Sequence, residues 1–304
     1  IPEAEAEIRK AIELCKEEQD VAVIAELGGI LYLENRFSEL EELLANLSRD
    51  AVEGSAFLSN LEGHLWHWKQ DAQKAAKAYT QAVHCAPEQG LFYIHAAQEF
   101  DLMGDKDKAF EFRIKAGNIF LTQEEYGDLQ SLLEKLKIDY PEAVEVLALE
   151  GKYFFALDDF DLAEKILHKA TKLGSQDSAV WYLVGLLHVQ NGNDKKALKA
   201  LEKATEIEPD CALYLYRLAE TLFYAGFECK EAIQKAIDCD NKNAWVYNIS
   251  ALRALGENDL EGAEEAILKA RNLLPDDLSI LVNFAEIRRR QGRLFEVLPL
   301  LESA

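Results

Sequence analysis

Three imidazoles and a thiol are the side chains whose types and spacing could do chemistry together. His64 and His67 stand at i, i+3, His95 belongs to the next helical segment, and Cys85 lies between them. Imidazole nitrogens at that spacing could share a borderline divalent cation such as zinc. The plainer reading has the histidines lining a surface beside Trp66 and Trp68, with Cys85 packed as a small residue. On that reading no metal and no cofactor is expected. The cysteines, Cys15, Cys85, Cys211, Cys229 and Cys239, are odd in number and scattered without a CxxC pair. That argues against a disulfide framework and towards a reducing compartment such as the cytoplasm. A catalytic thiol would need a partner imidazole, and the cysteines read as packing residues instead. No GxxxxGK[ST], GxSxG, HExxH or zinc-ribbon spacing occurs, so phosphate cradles, nucleophile elbows and common metal motifs are excluded and the chain is expected not to be an enzyme.

Composition narrows the partners. Apolar residues make up 49% of the 304 and charged residues 29%, with six prolines, which suits an ordered, mostly helical, soluble protein. Fifty-five acidic residues against 33 basic ones leave a formal charge of −22, so sequence-independent attraction to nucleic acid is not expected. No run approaches the roughly 18 apolar residues of a membrane span. Ile1-Pro2-Glu3-Ala4 carries neither an initiator Met nor a basic-then-apolar leader, so no targeting signal can be read.

The elements that must position these groups recur. Counting Ser178 as position 1, Trp181 falls at 4, Val184 and Gly185 at 7 and 8, Ala197 at 20, Leu201 at 24, Ala204 at 27 and Pro209 at 32. Packing explains the pattern: a small residue at 8 admits the second helix of a hairpin, alanine at 27 admits the next first helix, and proline at 32 ends the second helix. Ala56–Gln89 follows the same frame through Gly63, Tyr79, Ala82 and Pro87, and Gly90 onward through Ala97, Gly104, Ala109 and Ala116. Val144–Asp177 carries Gly151, Leu167 and Ala170 and abuts the best repeat. Weaker copies begin at Val21, Ala212, Lys242 and Leu278, with a turn about two residues short after Gly226 and about two residues extra from Lys242. Ala4–Glu17 reads as a lone second helix and the last repeat stops at Leu301–Ala304, as though the chain were a piece of a longer one.

These residues resemble the tetratricopeptide repeat over nearly the whole chain. The resemblance implies an all-α, right-handed superhelical solenoid of antiparallel helix pairs, irregular near residues 117–140. There a second-helix pattern at Lys108–Phe120 is followed at once by another at Tyr126, Leu129, Leu133 and Leu136. A kink or boundary is expected near Leu121–Tyr126, dividing an N-terminal array, 1–139, from a C-terminal one, 140–304.

The family's first helices line a concave groove through positions 2, 5, 6, 9, 12 and 13. Those positions select Phe57, Trp68, Ile94, Leu102, Phe155, Tyr182, Leu186, Val189, Tyr216, Phe223, Tyr224 and Tyr247, an apolar and aromatic surface. About half of it is assigned to packing within the array. Arg217, Arg253, Arg289 and Arg290 make the C-terminal end basic, either as an anchor for acidic groups or as helix-end charges paired with Glu220 and Glu286. The family's two-carboxylate clamp is broken, since Leu183 and Leu213 stand where Asn and Lys are needed and Lys152 and Arg217 alone remain. The expected function is a protein–protein interaction scaffold taking an apolar or amphipathic peptide in the groove, with an assembly or secretion-type chaperone as its special case. The alternatives are a module that self-associates through open solenoid ends and, last, a metal-binding protein.

Overall fold

The computed structural model describes residues 21–298 together with Glu5 and Ile8. The rest of the expected lone helix over Ala4–Glu17, Cys15, and the chain end at Leu301–Ala304 lie outside the described residues. Among those described, regular structure is helical throughout: seventeen α-helices, one short 3-10 turn and no strand. None of these helices is long and apolar enough to cross a membrane. The chain falls into two compact units, 1–149 and 150–304.

The first unit holds α1 (Val21–Leu33), α2 (Phe37–Ala45), the short α3 (Arg49–Glu53), the pair α4 (Ala56–Trp68) and α5 (Ala72–Cys85), then α6 (Gly90–Leu102), α7 (Lys106–Thr122) and α8 (Tyr126–Asp139). The division between units falls within α9 (Val144–Ala156). The second unit continues with α10 (Phe160–Lys172), the pair α11 (Ser178–Gln190) and α12 (Asp194–Ile207), α13 (Ala212–Tyr224) with α14 (Lys230–Cys239), α15 (Ala244–Gly256) with α16 (Leu260–Leu273), and α17 (Leu278–Arg290).

One backbone feature sets the frame of every hairpin. Asn35, Gln70, Gly104, Glu124, Asp158, Gly192, Gly226, Asn258 and Gly292 all have φ between 59° and 80°. The left-handed residue ends the first helix and turns the chain back. An aspartate follows in four of these turns, Asp71, Asp105, Asp159 and Asp259, and each accepts the backbone N–H three residues on, capping the second helix. Behind the turns, the alanines at positions 20 and 27, among them Ala75, Ala82, Ala163, Ala170, Ala197 and Ala204, are wholly buried. A Cβ added at Gly63, Gly151 or Gly185 would strike Tyr79, Leu167 or Leu201, the residue at position 24 of the same repeat. The expected packing of small position 8 against the second helix is thus present.

The turn residues also correct two frames. Glu124 stands at position 15 of a repeat that begins at Phe110, with Gly117 at 8, Leu129, Leu133 and Leu136 at 20, 24 and 27, and Pro141 at 32. This repeat meets Val144 without a gap. α7 is 17 residues long because it serves twice, as second helix for the repeat at Gly90 and as first helix for the repeat at Phe110. Leu121–Tyr126 is therefore an ordinary hairpin turn, and the three helices form two overlapping repeats. Asn258 likewise places the frame read from Lys242 at Ala244 instead. That shift moves Trp245 to position 2, Tyr247 to position 4 and Arg253 to position 10.

Candidate functional site

A cleft of about 850 Å³ in the second unit is lined from three successive first helices. α13 supplies Tyr216, Arg217, Glu220 and Tyr224, α15 supplies Trp245, Asn248, Ile249 and Leu252, and α17 supplies Leu278, Ser279, Val282 and Asn283. In the turn-defined frames nearly all of these are positions 2, 5, 6, 9 and 13, which share one face because they recur at helical spacing. Tyr216 donates its hydroxyl to Glu220 Oε1 at 2.7 Å, and Arg217 Nη1 donates to Glu220 Oε2 at 2.6 Å. Burial pushes the Tyr216 phenol up, with the Glu220 carboxylate adding to it. Burial works against the Arg217 charge, but Glu220, with a smaller contribution from the Tyr182 hydroxyl, raises it above its ordinary value. Arg217 Nε is buried without a hydrogen-bond partner. Asn283 donates its amide to Asn248 Oδ1 at 2.9 Å, which spends that carbonyl in a pair aligned along the cleft.

Several residues selected from the sequence sit elsewhere. Tyr247 is half-buried against the core of α15–α17, with Lys269 Nζ 5.9 Å above its ring, so it faces its own second helix and not the cleft. Phe155 packs edge-on against Phe160 across a hairpin turn, at 5.3 Å between ring centres. Tyr182 lies 4.9 Å from Tyr214, Leu186 is half-buried, and Phe223 packs against the α13–α15 core while its neighbour Tyr224 is 69% exposed. Arg253 pairs with Glu257 at 2.5 Å and does not line the cleft. Arg289 and Arg290 both pair with Glu286, and Arg290 Nη1 also caps the end of α15 through Leu255 O at 3.1 Å. The basic end of the chain is largely spent on its own carboxylates. Lys152, a remnant of the broken clamp, pairs with Asp177 at 2.8 Å. Trp245, Asn248, Ile249 and Leu252 on α15 and Leu278, Ser279, Val282 and Asn283 on α17 are the lining residues that sequence reasoning missed; the αL turn at Asn258 finds the α15 set, and the α17 set already stood in a correctly placed frame.

The first unit has a cleft of about 920 Å³ nearer the hairpin turns, lined by Tyr32, Phe37, His64, His67, Trp68 and Glu99 among others. Its rings are stacked on one another, Tyr32 on His64 at 4.0 Å and Phe37 on Trp68 at 5.1 Å. Both His64 nitrogens are occupied, Nδ1 by the Tyr79 hydroxyl at 2.8 Å and Nε2 by the Asn60 amide at 3.2 Å. His95 Nδ1 reaches Asn60 Oδ1 at 2.9 Å, and His67 Nδ1 reaches the buried Glu99 at 2.6 Å. Burial, reinforced by neighbouring imidazoles, lowers His64 to about 3 and His95 to about 4. Cys85 donates to Glu53 O at 3.1 Å and belongs to the packing around α3. Phe57 is exposed with its edge on Phe92, and Ile94 is half-buried.

Residues 178–221 match the tetratricopeptide repeat model. A TPR repeat-containing protein of Treponema pallidum is 38% identical over 288 residues, 91% of this chain and 36% of that protein. Tetratricopeptide repeat protein 37 of Xenopus laevis is 24% identical over 290 residues, 86% of this chain and 18% of that protein. The chain thus spans about a third or less of these relatives' lengths. In the solved APC/C hetero-tetramer Cut9–Hcn1, a chain aligns with 97% of this one and 76% of its own length, at 13% identity and a TM-score of 0.49. By its repeated hairpins, buried alanines and αL turns, and by its likeness to the Treponema pallidum relative, the chain belongs to the tetratricopeptide-repeat proteins, whose fold supports a role as a protein–protein interaction scaffold.

Proposed function

We propose that the second unit captures a peptide segment of another protein in the cleft between α13, α15 and α17. The observation that carries this reading is the composition of one face: the Tyr216, Tyr224 and Trp245 rings alternate with Arg217, Asn248 and Asn283 along three successive first helices. Aromatic side chains give contact area at low entropic cost, and paired amides with a guanidinium suit the carbonyls and carboxylates of an extended backbone. The ligand class is an amphipathic segment, with apolar side chains for Trp245, Leu252 and Val282 and an acidic or carboxyl group for Arg217. Binding, not bond-making, is the work assigned to these groups.

A photo-crosslinking residue placed at Tyr224, which is 69% exposed at the cleft edge, tests the reading directly. Expected is a crosslink to one partner segment that disappears when Trp245 is replaced by Ala. The reading fails if the same partner crosslinks equally from Lys203 on the second helix α12 and ignores Trp245→Ala. A crosslink to a second copy of the chain would instead make the cleft a self-association surface.

A further inference from the structure

Away from the cleft, three potential ligands meet between consecutive repeats of the second unit. Glu164 and His168 stand at i, i+4 on α10 and so share a face. His168 Nε2 is 3.5 Å from Glu164 Oε1. His188 comes from the adjoining first helix, α11, with its ring centre 5.0 Å from that of His168. One ligand atom from each of the three lies within 4.8 Å of the others. His188 is only 5% exposed, yet its Nδ1 is buried with no hydrogen-bond partner. A buried polar nitrogen left without a partner is costly and uncommon, so it calls for a ligand. Asn191 donates to Glu164 Oε2 at 3.2 Å and orients the carboxylate from behind, as outer partners of metal ligands do. Lys196 brings a positive charge towards His188, which the Glu164 carboxylate opposes.

We propose that Glu164, His168 and His188 hold a divalent first-row cation, zinc foremost, that pins the second helix of one repeat to the first helix of the next. Two imidazoles and one carboxylate are a donor set that zinc accepts, with a fourth position left for water. Zinc–ligand bonds of roughly 2.0–2.2 Å require the three donors to draw somewhat closer, which side-chain rotation on two helices can supply. The cation satisfies the orphaned nitrogen and adds a crosslink between repeats, where each otherwise touches only its neighbour. This inference is independent of the peptide cleft.

The test is zinc chloride titrated into chelator-treated protein, in competition with a chromophoric chelator of micromolar affinity. Expected is one equivalent bound by the wild type, with a raised unfolding midpoint. Glu164→Gln with His168→Gln removes two ligands whose side chains are about a third exposed, so the fold survives, and affinity should fall at least about 100-fold. His64→Gln with His95→Gln should leave the equivalent in place. Cobalt(II) in the wild type should give visible bands that the Glu164/His168 variant lacks. Failure of the wild type to compete with the chelator overturns the proposal, as does a bound equivalent that persists in the Glu164/His168 variant.

Discussion

First-helix residues at positions 5, 6 and 9 reach opposite outcomes in the two units: Asn60, His95 and His64 in the first, Asn248, Asn283 and Glu220 in the second. In the first unit the imidazoles are largely consumed: His64 is bonded at both nitrogens, His95 holds Asn60, His67 holds one oxygen of Glu99 while Glu99 Oε2 stays buried without a partner, and the flat rings of Tyr32 and Phe37 cover His64 and Trp68. In the second unit the Asn248–Asn283 pair and the Arg217–Glu220 pair run along the cleft, Arg217 Nε has no partner, and Tyr224 stands exposed beside them. A first-helix residue at position 5, 6 or 9 is therefore not a binding residue by position alone. What decides is whether the neighbouring repeat offers a side chain that satisfies it.

The largest test of this contrast is steric. Gly63 faces the Tyr79 ring, which is anchored through its hydroxyl to His64, whereas Gly185 faces the branched end of Leu201 at 2.7 Å. A rigid, tethered ring cannot yield as a Leu side chain can. Gly63→Val should cost about 3 kcal/mol or more, and Gly185→Ala about 1 kcal/mol or less, since overpacking is offset by the better helix propensity of alanine. Urea unfolding followed by circular dichroism reads both. Equal costs would mean that the first unit is no more tightly interlocked than the second.

Next comes pH. His64 and His95 sit at about 3 and 4 in the folded state, below the ordinary 6.5, because burial penalises the charged ring. The unfolded chain takes up these protons first, so stability is full above about pH 6.5 and is lost as pH falls towards 4. Between pH 7 and 5.5 the pair should cost about 2 kcal/mol, slightly less than two independent groups because neither is wholly buried. His67, Glu99, Tyr79 and Tyr32 surround them. Hydrogen exchange of α4 amides, corrected for intrinsic rates, should show the loss, and His95→Gln should halve the pH dependence. An unchanged dependence would place the protonation elsewhere.

A smaller effect separates the Lys242 frame from the Ala244 frame. Trp245→Ala should weaken a partner captured at the Tyr224 crosslink about tenfold, as loss of a central aromatic contact does. Tyr247→Ala should leave that affinity unchanged and lower the unfolding midpoint instead. The reverse pattern would restore Lys242 as the start of the repeat.

How much of this was legible in the sequence follows from what carries the signal. The repeat at Ser178 was readable because each framework position holds the expected small, aromatic or alanine residue. The repeat at Phe110 was hidden because α7 bears two overlapping sets of those residues. Nor did the turns help, since the left-handed residue is Asn35, Gln70, Glu124, Asp158 or Asn258 in five of them, where glycine would have been noticed. The two-residue slip at Lys242 followed, and with it the exchange of Trp245 for Tyr247. Glu164, His168 and His188 could not be joined from spacing, because a surface i, i+4 pair and a core histidine meet only once two repeats stack.

The smallest expected effect concerns the arginines that the sequence offered as an acidic-group anchor. Arg253 is bonded to Glu257 one turn along its own helix, and Arg289 is bonded through both Nε and Nη2 to Glu286. Arg289 and Arg290 together hold the Glu286 carboxyl down to about 2, so this local group is fully charged at neutral pH and offsets one of the two guanidinium charges. Beyond a Debye length of about 8 Å at physiological salt, such paired charges have little reach. Exposed pairs of this kind also contribute little to affinity. Arg217 differs because it lines the cleft, which neither Arg253 nor Arg289 does. Reversal of Arg253 and Arg289 to Glu should therefore change the association rate of the captured partner by no more than about twofold and leave its salt slope as in the wild type. Arg217→Glu should slow association and flatten that slope, because it places a carboxylate beside Glu220 within the binding face. If the Arg253/Arg289 reversal flattens the slope and Arg217→Glu does not, the ligand's acidic group lies beside Arg253 or Arg289, and Arg217 is not where it is anchored.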